Sequence, residues 1–168
     1  DECYPAMSFP IKQFDQDGMM KVRRGEDWKR SHHNPMARTH RKPVHHTLDY
    51  YMQAARLFKA RGLPTPLLWG HDHEGAYRQF PSSPQEIMWS ILEHEGGFSL
   101  WQHCVMVFGA KAAVWAYNRI GDAIVLLFRI LMLAVCFHYV DDYGGIEPAP
   151  SAESAFAAFA NLGLLLSF

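Results

Sequence analysis

The chain has 168 residues, 49% of them hydrophobic and 14% aromatic, which is enough for a packed core and excludes general disorder. Its net charge of −1 averages two unlike parts: residues 21–61 carry eleven Lys/Arg against three Asp/Glu, a local +8, and residues 62–168 carry four against ten, a local −6. The basic block points to phosphate or another polyanion as a partner.

Residues 1–20 offer little beyond a turn at Asp15-Gln16-Asp17-Gly18. Residues 19–28, rich in Arg and Lys, suit a short strand or hairpin arm. Residues 31–46 are polar and broken by Asn34-Pro35 and Lys42-Pro43, so they read as loop. Behind an N-capping Thr47, the stripe of Leu48, Tyr51, Met52, Ala55, Leu57 and Phe58 predicts a helix over 47–61, ended by Gly62, Pro64 and Pro66. Residues 67–72 form a short apolar run that ends on an acid. Ser83-Pro84 predicts a helix over 85–95, stopped by Gly96-Gly97. Residues 98–107 read as strand, 110–133 as a long helix with Gly121 as its weak point, and 134–140 as a strand with Asp141-Asp142 at its end. Tyr143-Gly144-Gly145 predicts a turn toward another strand. Residues 151–161 predict a helix stopped before Gly163, and 164–168 the start of a last strand. This order predicts an α+β fold, with helices on one face of a small, mainly antiparallel sheet.

Cys3, Cys104 and Cys136 are scattered and odd in number, which fits a reducing, intracellular compartment rather than a disulfide framework. The N-terminus has no basic segment followed by an apolar one, so no secretory signal is expected. The longest uninterrupted apolar run, 130–137, is far short of the roughly 20 residues that span a bilayer, so no membrane partner is expected.

The chemistry is concentrated in acids. Asp141-Asp142 follows an apolar strand, and Asp72 ends another apolar run. Adjacent acids at a strand end are costly to bury without a counter-charge, and oxygen ligands select a hard cation such as Mg²⁺. Three carboxylates on neighbouring strands suit a two-metal site for phosphoryl transfer. The competing reading is a plain polar turn before Tyr143-Gly144-Gly145.

Four motifs then fall in one order. Asp72-His-Glu-Gly-Ala-Tyr77-Arg78-Gln79-Phe-Pro81 resembles the first palm motif of reverse transcriptases. Phe108-Gly109-Ala110-Lys111, continuing to Tyr117-Asn118-Arg119, resembles the second, as found in retrotransposons. Tyr139-Val140-Asp141-Asp142 resembles the third, and residues 144–164 resemble the fourth. Upstream, Lys21-Val22-Arg23 through Asp27-Trp28-Lys29 and on to Asn34 is similar to the fingers motif. The resemblance covers residues 20–168.

The resemblance implies a retrotransposon-type RNA-directed DNA polymerase with a ferredoxin-like palm. Residues 1–66 would form an N-terminal segment and a partial fingers region, and residues 67–168 a palm truncated at its C-terminus, with the thumb and any RNase H domain absent. Asp72, Asp141 and Asp142 would be the catalytic acids and, with the His73 carbonyl, would hold two Mg²⁺ ions or Mn²⁺ in their place. Lys21 and Arg23 would grip the triphosphate. Tyr77 would exclude a 2′-hydroxyl, Phe108 and Gly109 would lie by the nascent base pair, and Tyr139 and Val140 by the primer terminus. The partners implied are a primed RNA or DNA template and deoxynucleoside triphosphates. The chain departs from the family pattern at Val107, where Pro is usual, at Gly25 inside the basic strand, and at His71 and His73 around Asp72. A nucleic-acid-binding remnant without polymerisation is the first alternative. Another metal-dependent phosphotransferase on a ferredoxin-like fold, such as a nucleotide cyclase, is the second, and it leaves Tyr77-Arg78-Gln79 unexplained.

Seven of ten histidines lie between residues 32 and 73 (His32, His33, His40, His45, His46, His71 and His73). No pair has a zinc-finger spacing with a matching second pair, so they read as polar loop residues that add positive charge at low pH.

Overall fold

The computed structural model describes residues 4–15, 17–38, 42–85 and 87–166. Cys3, His40 and the final residues of the expected last strand lie outside them. In chain order the elements are β1 (Ala6–Phe14), β2 (Met20–Glu26), α1 (His33–Met36), α2 (Leu48–Ala60), β3 (Pro66–Asp72), a 3₁₀ turn (Ala76–Gln79), β4 (Met88–His94), β5 (Gly97–His103), α3 (Lys111–Met132), β6 (Cys136–Tyr139), β7 (Asp142–Pro148) and α4 (Ala149–Leu166). The fold is α+β. No helix among the described residues is long and apolar enough to cross a membrane.

Two compact units are present, and each is discontinuous in sequence. The first comprises Asp1–His40 and Tyr77–Val114, the second Arg41–Ala76 and Trp115–Phe168. This division differs from a single cut at residue 66. It also splits the basic block, because residues 21–40 belong to the first unit and 41–61 to the second.

The first unit holds a four-stranded mixed sheet in the order β2-β1-β4-β5. β1 runs antiparallel to β2 and parallel to β4, where Ala6 pairs with Ser90. β1 itself was not legible, since Pro5 and Pro10 flank and interrupt it. The helix expected over 85–95 is instead β4. The Ser83 hydroxyl does accept the Gln85 N–H at 3.3 Å, as a cap would, but the turn is not continued. Glu95 and Gly96 close a two-residue hairpin with His94 opposite Gly97, and β5 takes up the β4 ladder. Cross-strand pairing thus overrides the local helix signal.

The second unit holds a three-stranded sheet in the order β3-β7-β6. β7 is antiparallel to both neighbours, so β3 and β6 run parallel on either side of it. Ile124, Val125 and Phe128 of α3 and Phe159 and Leu162 of α4 form a core with Cys136 and Tyr143 of the sheet, and Trp69 packs against it. The 22-residue α3 runs through Gly121 without a break. α4 likewise runs through Gly163, which is buried, so residues 164–166 are helical rather than the start of a strand. Gly144 and Gly145 do not turn the chain either; they are buried inside β7. A Cβ on Gly145 would run into the Trp69 ring, so the glycine serves close approach between strand and indole.

Candidate active site

The acids are placed by two strand ends. In β6 and β7, Tyr139 pairs with Asp142, which leaves Val140 and Asp141 as a two-residue turn. Val140 has φ 56°, in the left-handed region that a β-branched residue rarely enters. Such a conformation costs about 1–3 kcal/mol and persists only where its surroundings fix it. Asp72, the last residue of β3, lies directly opposite Asp142, the first of β7. Cβ atoms of such a pair are about 4.5–5.5 Å apart. The chain then crosses from β3 to the turn, where the His73 N–H donates to the Asp141 carbonyl at 3.1 Å.

Negative charge accumulates there. Burial first, then the charges of Asp141 and Asp72, push the Asp142 carboxyl above the usual carboxylate range. Among the described residues the contacts between acidic and basic side chains are Arg24 with Glu26 and His138 with Asp122, and neither involves these acids. A divalent cation fits this oxygen donor set and its unbalanced charge. Among the described residues, however, no three His, Cys, Asp or Glu side chains already converge into a metal-holding group. The residues that would hold a cation are Asp72, Asp141 and Asp142.

His73 plays two parts. Its carbonyl accepts the Ala76 N–H at 3.2 Å. Its buried ring bonds through Nδ1 to the Tyr117 hydroxyl, which lies 3.1 Å from the Tyr143 hydroxyl. Burial pushes the Tyr143 phenol up to about 12, so it stays protonated. Tyr139 is exposed, with its ring 5.1 Å from that of His45. His71, opposite Tyr143 in the ladder and so on the same sheet face, packs on the Phe156 and Phe159 rings.

In the first unit, the Tyr77 ring is 6% exposed and meets the exposed Phe108 edge-on at 6.1 Å. The Phe108-Gly109 turn is braced from the segment after β2. Trp28 Nε1 donates to the Phe108 carbonyl at 3.0 Å. Asn34 Nδ2 donates to the Gly109 carbonyl at 3.0 Å, and Asn34 Oδ1 accepts the Lys111 N–H at 2.7 Å. Gly109 itself has φ 81°. Trp28 and Asn34 were visible only as members of a motif; nothing local reveals that they hold a turn about 80 residues away. Lys21 and Arg23 sit two apart on β2, an edge strand, and so share one face; both are exposed.

The structure therefore gathers Asp72, His73, Tyr139, Val140, Asp141 and Asp142 in the second unit, and Tyr77, Phe108 and Gly109 in the first. No protein-family model matches this chain, and no curated protein is significantly similar to it.

Proposed function

We propose that the chain is the fingers and palm portion of an RNA-directed DNA polymerase. The observation that carries this reading is the register that sets Asp72 opposite Asp142, with Asp141 at the adjoining hairpin turn. The order β3-β7-β6, interleaved with α3 and α4, supports it, because a ferredoxin-like palm lacking its last strand has that order.

In this reading Asp72, Asp141 and Asp142 would hold two Mg²⁺ ions, which would supply Lewis-acid activation of the primer 3′-hydroxyl and charge neutralisation on the triphosphate. The primer 3′-oxygen would bond to the α-phosphorus as its proton passes to solvent, and the bond from that phosphorus to the leaving pyrophosphate would break. Among the described residues no cation pairs with Asp72, Asp141 or Asp142, so they can take this role without first losing an ion pair. Tyr77, fixed by burial, presents an aromatic ring that would collide with a 2′-hydroxyl. Phe108 offers an exposed face for the nascent base pair, held in place by Trp28 and Asn34. Lys21 and Arg23 bind triphosphate oxygens, the guanidinium in bidentate fashion.

Primer extension on an RNA template with Mg²⁺ and deoxynucleotides tests this reading. The wild-type chain should extend the primer, and Asp72→Asn and Asp141→Asn should not. A binding remnant is the second reading, favoured by the basic block. Template binding by a wild-type chain that extends nothing would select it.

A further inference from the structure

His138 sits in β6, three residues before Asp141, where an apolar side chain would be the simple choice. It is 1% exposed. Its Nε2 is 3.0 Å from Asp122 Oδ1, and its Nδ1 is 3.2 Å from the carbonyl oxygen of Val140, the turn residue with φ 56°. The ring stacks on Tyr143 at 28°. Room for it comes from Gly121, where a Cβ would stand 2.7 Å from ring atoms. Glycine in a helix interior costs about 1 kcal/mol relative to alanine, and a buried imidazole is costly unless bonded. Each departure accounts for the other: Gly121 admits the ring, and Asp122, the next residue on α3, bonds it.

The bonding is specific in kind. A backbone carbonyl oxygen only accepts, so the bond to Val140 is made with Nδ1 as the N–H donor. The other polar groups around it act on the β6 backbone. His46 Nδ1 lies 3.2 Å from the His138 carbonyl and 3.3 Å from its amide nitrogen, and the Arg129 guanidinium donates to the Cys136 carbonyl.

We propose that His138, anchored by Asp122 and seated against Gly121, is a positioning residue that fixes the Val140 carbonyl and thereby the turn presenting Asp141 and Asp142. Its importance for nucleotide transfer rests on the polymerase reading above; its hold on the turn does not. A two-residue hairpin prefers glycine where Val140 stands, so an external hydrogen bond is what such a turn needs in order to stay fixed.

The test uses the full chain and three substitutions. His138→Asn keeps a donor near the Nδ1 position, His138→Gln moves the donor to the Nε2 position, and His138→Phe fills the space with no donor. Amide hydrogen exchange of His73, whose N–H bonds to the Asp141 carbonyl, reads the turn. His138→Gln and His138→Phe should speed this exchange about tenfold or more, and His138→Asn should stay within about threefold of wild type. Thermal midpoints identify any variant that fails to fold, and the Asn and Gln pair then decides. Equal exchange in Asn and Gln variants, or wild-type exchange in all three, would overturn the proposal. In active protein, His138→Gln should lower kcat with KM for deoxynucleotide unchanged. If the wild-type chain extends no primer while exchange follows the predicted order, the polymerase reading fails and the positioning of the turn stands.

Discussion

Val140 and Asp142 show how a few residues bear unfavourable features for the sake of one arrangement. A β-branched residue sits at a positive φ, and a carboxylate faces two others. Features of this kind concentrate at functional sites, which is why they draw the reading toward chemistry. Two predictions belong at this scale. Tyr77→Ala should raise ribonucleotide incorporation about tenfold or more relative to deoxynucleotide, measured by competition between the two substrates; an unchanged ratio would remove Tyr77 from sugar selection. Separately, burial pushes the Cys136 thiol up to about 12, whereas Cys104 is exposed. At pH 8 the Cys136 thiolate fraction is then about one part in ten thousand. Alkylation of the folded chain followed by peptide mass mapping should modify Cys104 and spare Cys136. The acids were legible in the sequence because Asp141-Asp142 and Asp72 each end an apolar run. Trp28, Asn34 and His138 were not, because their partners at Phe108, Gly109 and Asp122 are set by tertiary packing.

The hairpin of β6 and β7 and its pairing with β3 carry the site at the level of elements. Like charges directly opposite on antiparallel strands destabilise by about 0.2–1 kcal/mol. Asp142→Asn should therefore raise the thermal midpoint of the chain in the absence of divalent cation by about 0.5–4 °C. A fall in the midpoint would mean that the Asp142 charge has a partner other than Asp72 and Asp141. α2 was readable from its apolar stripe, α3 from a long Ala-rich segment, and the strand leading into the acids from its apolar run. β4 was not, because Ser83-Pro84 imitates a helix start and only the ladder with β5 decides otherwise. The Gly144-Gly145 pair misled in the same way: glycine marks a tight turn or a close neighbour equally well, and only Trp69 shows which.

Across the whole molecule, pH and charge act on both units. Burial holds the His33, His46 and His103 imidazoles below the ordinary histidine value of 6.5. Below pH 6.5 the unfolded chain takes up protons that the folded chain resists. The stability contributed by these rings is thus complete above 6.5 and is lost as pH falls through their lowered values. Thermal scans between pH 7.5 and 5.5 should show a falling midpoint, and a flat profile would contradict the assignment. Asp142, shifted the other way, favours the folded state as it protonates at lower pH, so its effect opposes that of the histidines. The division into units escaped the sequence because residues 77–114 are inserted between β3 and β6, while the sheet that β3 and β6 share is closed by β7. A linear reading places a boundary where composition changes, and here the chain leaves one unit and returns to it.

The central claim is that the Asp72 and Asp141-Asp142 segments build one divalent-metal site together. Iron-mediated backbone cleavage tests it without requiring catalysis: Fe²⁺ is supplied in place of Mg²⁺ with ascorbate and peroxide, and the cuts are mapped by mass spectrometry. Paired cuts near residue 72 and near residues 141–142, lost together in Asp72→Asn and suppressed together by excess Mg²⁺, are the predicted result. Cuts near 141–142 that persist unchanged in Asp72→Asn, or no localised cuts at either segment, would contradict it.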